Sequence, residues 1–146
     1  MQSVLASQKD IVETVTLSDE FSIFAEALSA ADLLETLKDQ GPYTVFAPSD
    51  EVFSNLPVGT LDYLFKPENK RILTCMLRYH IVSGKITAEE IARFRELKAL
   101  NGEVLTIAAR YGTVMVDRGT ITVENIECSN GLIHVIDQVA VPKRWL

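Results

Sequence analysis

An α+β domain is the fold class this sequence predicts, and three observations predict it. Apolar residues recur at helical spacing through most of the first hundred positions. From Leu97 onward they alternate with period two. Turn dipeptides punctuate that second region at Tyr111-Gly112 and Asn130-Gly131. An antiparallel meander packed against helices satisfies all three. The 146 residues are 47% hydrophobic and fit one domain spanning 1–146. A chain of this size buries roughly 70% of its extended-state surface, enough for an independent core.

Asp10 is placed to cap a short helix with Ile11, Val12 and Val15 on one face. Ser18 is placed to cap a second, in which Phe21, Phe24, Ala25 and Leu28 recur at i, i+3, i+4 and i+7. Ser29 and Asp32 have capping-box spacing ahead of Leu33, Leu34 and Leu37, and Gly41-Pro42 ends that helical stretch. The β-branched and aromatic run 43–47 predicts a strand stopped by Pro48. Ser49 then reads as an N-cap, with Asp50 and Glu51 in a first turn whose dipole favours acids, and with Phe53 and Leu56 turned to the core. Thr60 opens a short turn, and Pro67 suits the first position of a helix carrying Ile72, Leu73, Met76 and Leu77.

Residues 79–82 predict a strand ended by Ser83-Gly84. Thr87 and Glu90 form a capping box for a short helix containing Ile91. Segments 104–107 and 113–116 flank the Tyr111-Gly112 hairpin, Asp117-Arg118-Gly119 turns into 121–123, and Asn130-Gly131 launches 132–136.

Charge and composition remove several function classes. The formal net charge is −6, and an acidic domain repels phosphate backbones, so nucleic acid is not an expected partner. Lys70-Arg71 and Lys143-Arg144 read as isolated, solvated pairs. No apolar run approaches the roughly 20 residues needed to span a bilayer, so membrane insertion is not expected. The opening segment, residues 1–10, lacks a basic n-region and an apolar h-region. That fits either an intracellular protein or a mature chain whose leader has been replaced by Met1. Cys75 and Cys128 each sit in an apolar context and read as small buried hydrophobes, with a disulfide left open.

No chemistry-bearing constellation stands out. His80 and His134 are the only histidines, and with the two cysteines they lack the paired spacing of a zinc site. No metal or cofactor is therefore expected. A triad can be written from Ser49 or Ser129 with His134 and Asp137, but no GxSxG elbow supports it. On a strand, positions 134 and 137 point to opposite faces. His134, flanked by Leu132-Ile133 and Val135-Ile136, instead reads as a buried, hydrogen-bonded ring. Asp50 and Glu51 diverge by ~100° on a helix and share no focus. Phosphate-loop, EF-hand, N-glycosylation and Arg-Gly-Asp motifs are absent.

Three blocks, in order, carry a resemblance. Residues 43–53 (YTVFAPSDEVF), 77–82 (LRYHIV) and 130–137 (NGLIHVID) followed by Val141-Pro142 resemble the signature blocks of fasciclin domains, over nearly the whole chain. The resemblance implies a wedge of two mostly antiparallel β-sheets with several helices packed around it. It implies a monomeric, non-catalytic adhesion module, extracellular, surface-attached or periplasmic, whose partners are cell-surface or matrix proteins or glycans. The alternative is a periplasmic or intracellular accessory domain that stabilises a protein assembly.

Read physically, the signature residues Thr44, Phe46, Pro48, Ser49, Phe53, Asn130, Gly131, His134 and Asp137 are suited to fastening the scaffold, leaving the binding surface elsewhere. Some animal fasciclin domains are associated with integrin binding through an Asp-Ile pair before the last block and through the Tyr-His region. By resemblance the contact positions here are Asn125, Ile126, Tyr79 and His80. With Asn at 125 the carboxylate is missing, so coordination of an integrin's metal ion is not carried over.

Overall fold

The computed structural model describes residues 9–38, 41–117 and 119–140. Positions 1–8, Arg118, Val141-Pro142 and Lys143-Arg144 lie outside them. Helix α1 (Ile11–Thr16) is capped as its sequence dictates. Asp10 Oδ1 accepts from Glu13 N at 2.7 Å, and Glu13 Oε1 accepts from Asp10 N at 3.0 Å. Helix α2 (Ser22–Ala30) begins later than Ser18 would place it. Ser18 Oγ accepts from Glu20 N in a local turn, and the helix donor is met from a distance by Asp50 Oδ1, 2.7 Å from Ile23 N.

The capping box expected at Ser29 and Asp32 does not form. Ser29 lies in the last turn of α2, and Asp32 takes the left-handed conformation at φ 59°. Leu33 N donates to Leu28 O at 2.9 Å and Asp32 N to Ser29 O at 3.1 Å. This is the Schellman closure of α2, with Leu28 and Leu33 both buried. Helix α3 (Leu34–Lys38) then starts without that box.

Strand β1 (Tyr43–Pro48) feeds α4 (Asp50–Ser54) through Ser49, whose backbone is extended as at an N-cap but whose side chain makes no capping bond. After α5 (Thr60–Phe65) and a 3₁₀ turn begun by Pro67, α6 (Lys70–Arg78) buries Leu73, Met76 and Leu77. The helix continues to Arg78, so Tyr79 and His80 form the turn after it, and β2 (Ile81–Ser83) is shorter than the expected strand. Helix α7 (Ala88–Ile91) carries the Thr87–Glu90 capping box.

The meander follows: β3 (Glu96–Lys98), β4 (Val104–Arg110), β5 (Thr113–Val116), β6 (Gly119–Cys128) and β7 (Gly131–Ile136). Strand β6 outruns the expected 121–123 segment because two register shifts carry its pairing with β7 past Val123.

Among the described residues the strands form one seven-stranded sheet, ordered β2-β1-β7-β6-β5-β4-β3. Only the β1–β7 pair is parallel. The two halves of the expected wedge meet along β6, whose first residues pair with β5 and whose later ones pair with β7. A bridge between Val82 and Ala99, with Leu100 N donating to Ile81 O at 2.9 Å, draws the outer strands together and nearly closes a barrel.

Two cores result. Val45, Ala47, Ile133 and Val135 face the helices, packing with Phe24, Leu28, Phe53 and Leu77. Phe46 and Ile136 face the barrel interior with Tyr79, Leu105, Ile107 and Val116. The central β1–β7 pair is thus buried on both faces, which is why its sequence reads as apolar runs. Each fully buried Phe, Leu or Ile contributes about 1.5–3 kcal/mol.

Candidate functional site

The signature residues lock the centre of this arrangement. Asn130 Oδ1 accepts from Ile11 N at 3.0 Å, its Nδ2 donates to Leu37 O, and its backbone O accepts from Tyr43 N at 3.0 Å. One residue thus ties α1, α3 and β1 together. The turn itself is Ser129-Asn130, one residue earlier than the Asn-Gly pair suggests, and Gly131 opens β7. A Cβ on Gly131, at φ 156°, would lie 1.9 Å from Tyr43 O. Glycine is required there for close backbone approach. Thr44 Oγ1 donates to Gly84 O and accepts from Ile86 N, pinning the β2–α7 connection to β1. Asp137 Oδ1 accepts from Thr120 N at 2.7 Å, joining the end of β7 to β6.

Both histidines are fully buried, and their partners fix their tautomers. Asn125 N donates to His134 Nδ1 at 3.0 Å, so Nε2 carries the proton and donates to Ile86 O at 2.9 Å. His134 also stacks on Phe46, with ring centroids 5.8 Å apart. His80 is the mirror case. Ala140 N donates to its Nε2 at 2.9 Å, and Nδ1–H donates to Met76 O at 2.8 Å. Burial lowers His80 to about 4 and moves His134 down as well. His134 therefore pairs with neither Asp137 nor a serine, and all its ring valences serve the fold.

Of the four positions expected to make contacts, two never reach the surface. Tyr79 and His80 are both 0% exposed. The Tyr79 hydroxyl donates to Asp117 Oδ2 at 2.7 Å, and burial first, then that carboxylate, push the phenol well above its ordinary value. Asp117 in turn accepts Thr106 N at Oδ1, holding the β4–β5 region to the turn after α6. The reason for the burial is position: both residues sit between α6 and β2, with Tyr79 in the barrel core and His80 edge-on to Phe24. A partner docking on the native surface does not touch them.

Asn125 and Ile126 lie at the second register shift of β6. Asn125 adopts φ 58°, a conformation Asn tolerates better than most residues. Its Oδ1 accepts from Ala88 N at 3.0 Å and its Nδ2 donates to Glu89 Oε1 at 3.3 Å, so the side chain ties the start of α7 to the bulge. The Glu89 carboxyl sits below its ordinary value because its own backbone N–H and then the Asn125 amide donate to it. Ile126 is half-buried against the helix-side core. An Asp in place of Asn125 could not make the donor bond to Glu89, which gives the residue seen here a local structural job.

Beside this bulge lies a groove of about 400 Å³ that the sequence does not announce. It runs between α7 and the tip of the β4–β5 hairpin, lined among others by Ala88, Glu89, Arg110, Tyr111 and Glu124. Tyr111 stands at the hairpin tip, fully exposed, with φ 52°. Asn, Asp or Gly normally occupies that turn position, because a bulky side chain at positive φ is strained. Val123 on β6 and Met115 on β5 are also exposed apolar residues. The Tyr111-Gly112 turn was legible; the strained, unpacked ring at its tip was the clue to look for.

Elsewhere, Cys75 and Cys128 are free thiols, and Cys128 Sγ lies 3.5 Å from Thr14 Oγ1. Among the described residues no three His, Cys, Asp or Glu side chains converge as a metal site, and no helix is long and apolar enough to cross a membrane.

Comparison with known proteins agrees with this architecture. The Fasciclin domain family model matches residues 19–142. The protein sll1483 of Synechocystis is 44% identical over 141 residues, covering 97% of this chain and 78% of that protein. The pig transforming growth factor-beta-induced protein ig-h3 is 31% identical over 132 residues, covering 90% of this chain but 19% of its own length. Among solved structures, a FAS1 domain pair from the insect cell adhesion molecule Fasciclin I superposes with a TM-score of 0.82 at 16% identity, over 93% of this chain and 52% of that one. The chain belongs to the Fasciclin domain family.

Proposed function

We propose that this chain is a non-catalytic contact module that docks a protein partner through the rim formed by the β4–β5 hairpin tip, the Asn125 bulge and the start of α7. The observation that carries the reading is Tyr111, an aromatic ring held at φ 52° and fully exposed. Such strain, of order 1–3 kcal/mol, brings no packing in return among the described residues, and aromatic rings with a polar tip are favoured anchors at interfaces. The groove beside it offers Arg110, Glu89 and Glu124 as a charged border around apolar Ala88 and Ala92. That pattern, an apolar centre with a polar rim, suits protein contact. The names of distant relatives add a cell adhesion molecule and ig-h3 to the same fold, and adhesion at a cell surface or in a matrix, outside the cytoplasm, is the setting proposed for this chain.

The histidines support the non-catalytic part of the reading, since the ring nitrogens of both are committed to backbone groups. The test is retention of surface proteins from the producing cells on the immobilised domain, wild type against Tyr111→Asn. Asn suits the turn, so folding is preserved, and the retained partner is expected to be lost. Equal retention by both forms removes Tyr111 from the contact and overturns the proposal.

A further inference from the structure

A second face of the molecule concentrates positive charge in a protein whose formal net charge is −6. Helix α6 brings Arg71 and Arg78 onto one side, seven residues and therefore about 10 Å apart. Together with Lys70, Thr74, Cys75 and Asn101 they line a groove of about 390 Å³. Lys70 is engaged by Asp32. Among the described residues neither Arg71 nor Arg78 has an ion-pair partner, and both are exposed. Thr74 Oγ1 donates to Lys70 O, and Asn101 Nδ2 to Cys75 O and Cys75 Sγ, so among the groove's described residues the two guanidinium groups are the donors left for a ligand.

We propose that this groove binds a short acidic peptide segment presenting two carboxylates about 10 Å apart, one for each arginine. Guanidinium groups match carboxylates with paired, charge-assisted hydrogen bonds. Length is what separates a peptide from other polyanions. A nucleic acid or a long sulfated glycan would run beyond the groove onto a surface of net negative charge, where repulsion opposes it. A short segment stays within the favourable field. The proposal does not depend on Tyr111, which lies on other elements, so each can fail without the other.

Cys75 supplies a local reporter: it is half-buried and lines the groove, whereas Cys128 is buried. The probe is hexaglutamate at low ionic strength, with a heparin-derived oligosaccharide as the second arm. Hexaglutamate is expected to slow alkylation of Cys75 in the intact protein. The Arg71→Glu/Arg78→Glu variant, which changes only exposed side chains and should melt as the wild type does, is expected to weaken hexaglutamate about tenfold or more. No protection of Cys75, or equal binding by the variant, overturns the proposal. Protection by the oligosaccharide but not by hexaglutamate also overturns it, in favour of a sulfated glycan.

Discussion

The β1–β7 pair and the β4–β5 hairpin belong to one sheet and are built on opposite principles. In β1–β7 every residue from Thr44 to Pro48 and from Gly131 to Ile136 is buried, and the polar groups among them are spoken for. In β4–β5 only the inward residues are buried, and the tip carries a strained, exposed tyrosine. The first region is over-determined and so resists change; the second has a face that no described residue covers. The signature blocks of this domain therefore mark where it is fastened, and the contact proposed for it lies outside them.

The largest test of that contrast is Gly131→Ala. Its Cβ would sit 1.9 Å from Tyr43 O, a backbone atom that cannot swing aside. Separating β7 from β1 at that point breaks the parallel pair, and a loss of about 4 kcal/mol or more is expected, read as urea-midpoint displacement or failure to fold. By contrast, alanine at Gly112, in the hairpin turn, meets no atom within 4 Å and costs only its backbone strain. If the two substitutions destabilise equally, the contrast is lost.

Next in size is the acid response of the buried pair. His80 and His134 both accept a backbone N–H, and burial lowers both. The unfolded chain takes up protons near the usual 6.5 while the folded chain does not, so stability is present at neutral pH and is lost as pH falls from there towards about 4. Between pH 7 and 5, His80 alone should account for a loss of about 2 kcal/mol, with His134 adding in the same direction. Urea midpoints at the two pH values measure it. A flat profile would show that these rings are not held neutral.

How much of this was legible depended on the range of the interactions. Asp10 and Thr87 cap helices with residues three positions away, and the sequence carried both. The start of α2 is set by Asp50, which lies 27 positions off, whereas Ser18 has capping chemistry but bonds only Glu20 N in a local turn. Ser29 and Asp32 have the spacing of a capping box, yet Leu28 and Leu33 gain more by closing α2 around Asp32. Tyr79-His80 was legible as a block, and its apolar run as one that buries at least one of the two; that both are buried rests on Asp117 and Ala140 far along the chain. Lys70-Arg71 looked like an isolated pair because Arg78 joins it only through the turn of a helix.

The smallest effect is the one that most sharpens the contrast. Tyr111 occupies a conformation that Asn adopts at lower cost, and its ring is fully exposed. Tyr111→Asn should therefore raise stability, by about 0.5–1 kcal/mol, whereas nearly every change in the β1–β7 pair lowers it. A differential melting curve of the two proteins at neutral pH is sufficient to read the sign. A gain places the tyrosine among residues that the fold would be better without, which is what a residue selected for contact with another molecule requires. A loss would mean that the ring packs on the hairpin in solution, and the tip would then belong with the fastened half of the domain.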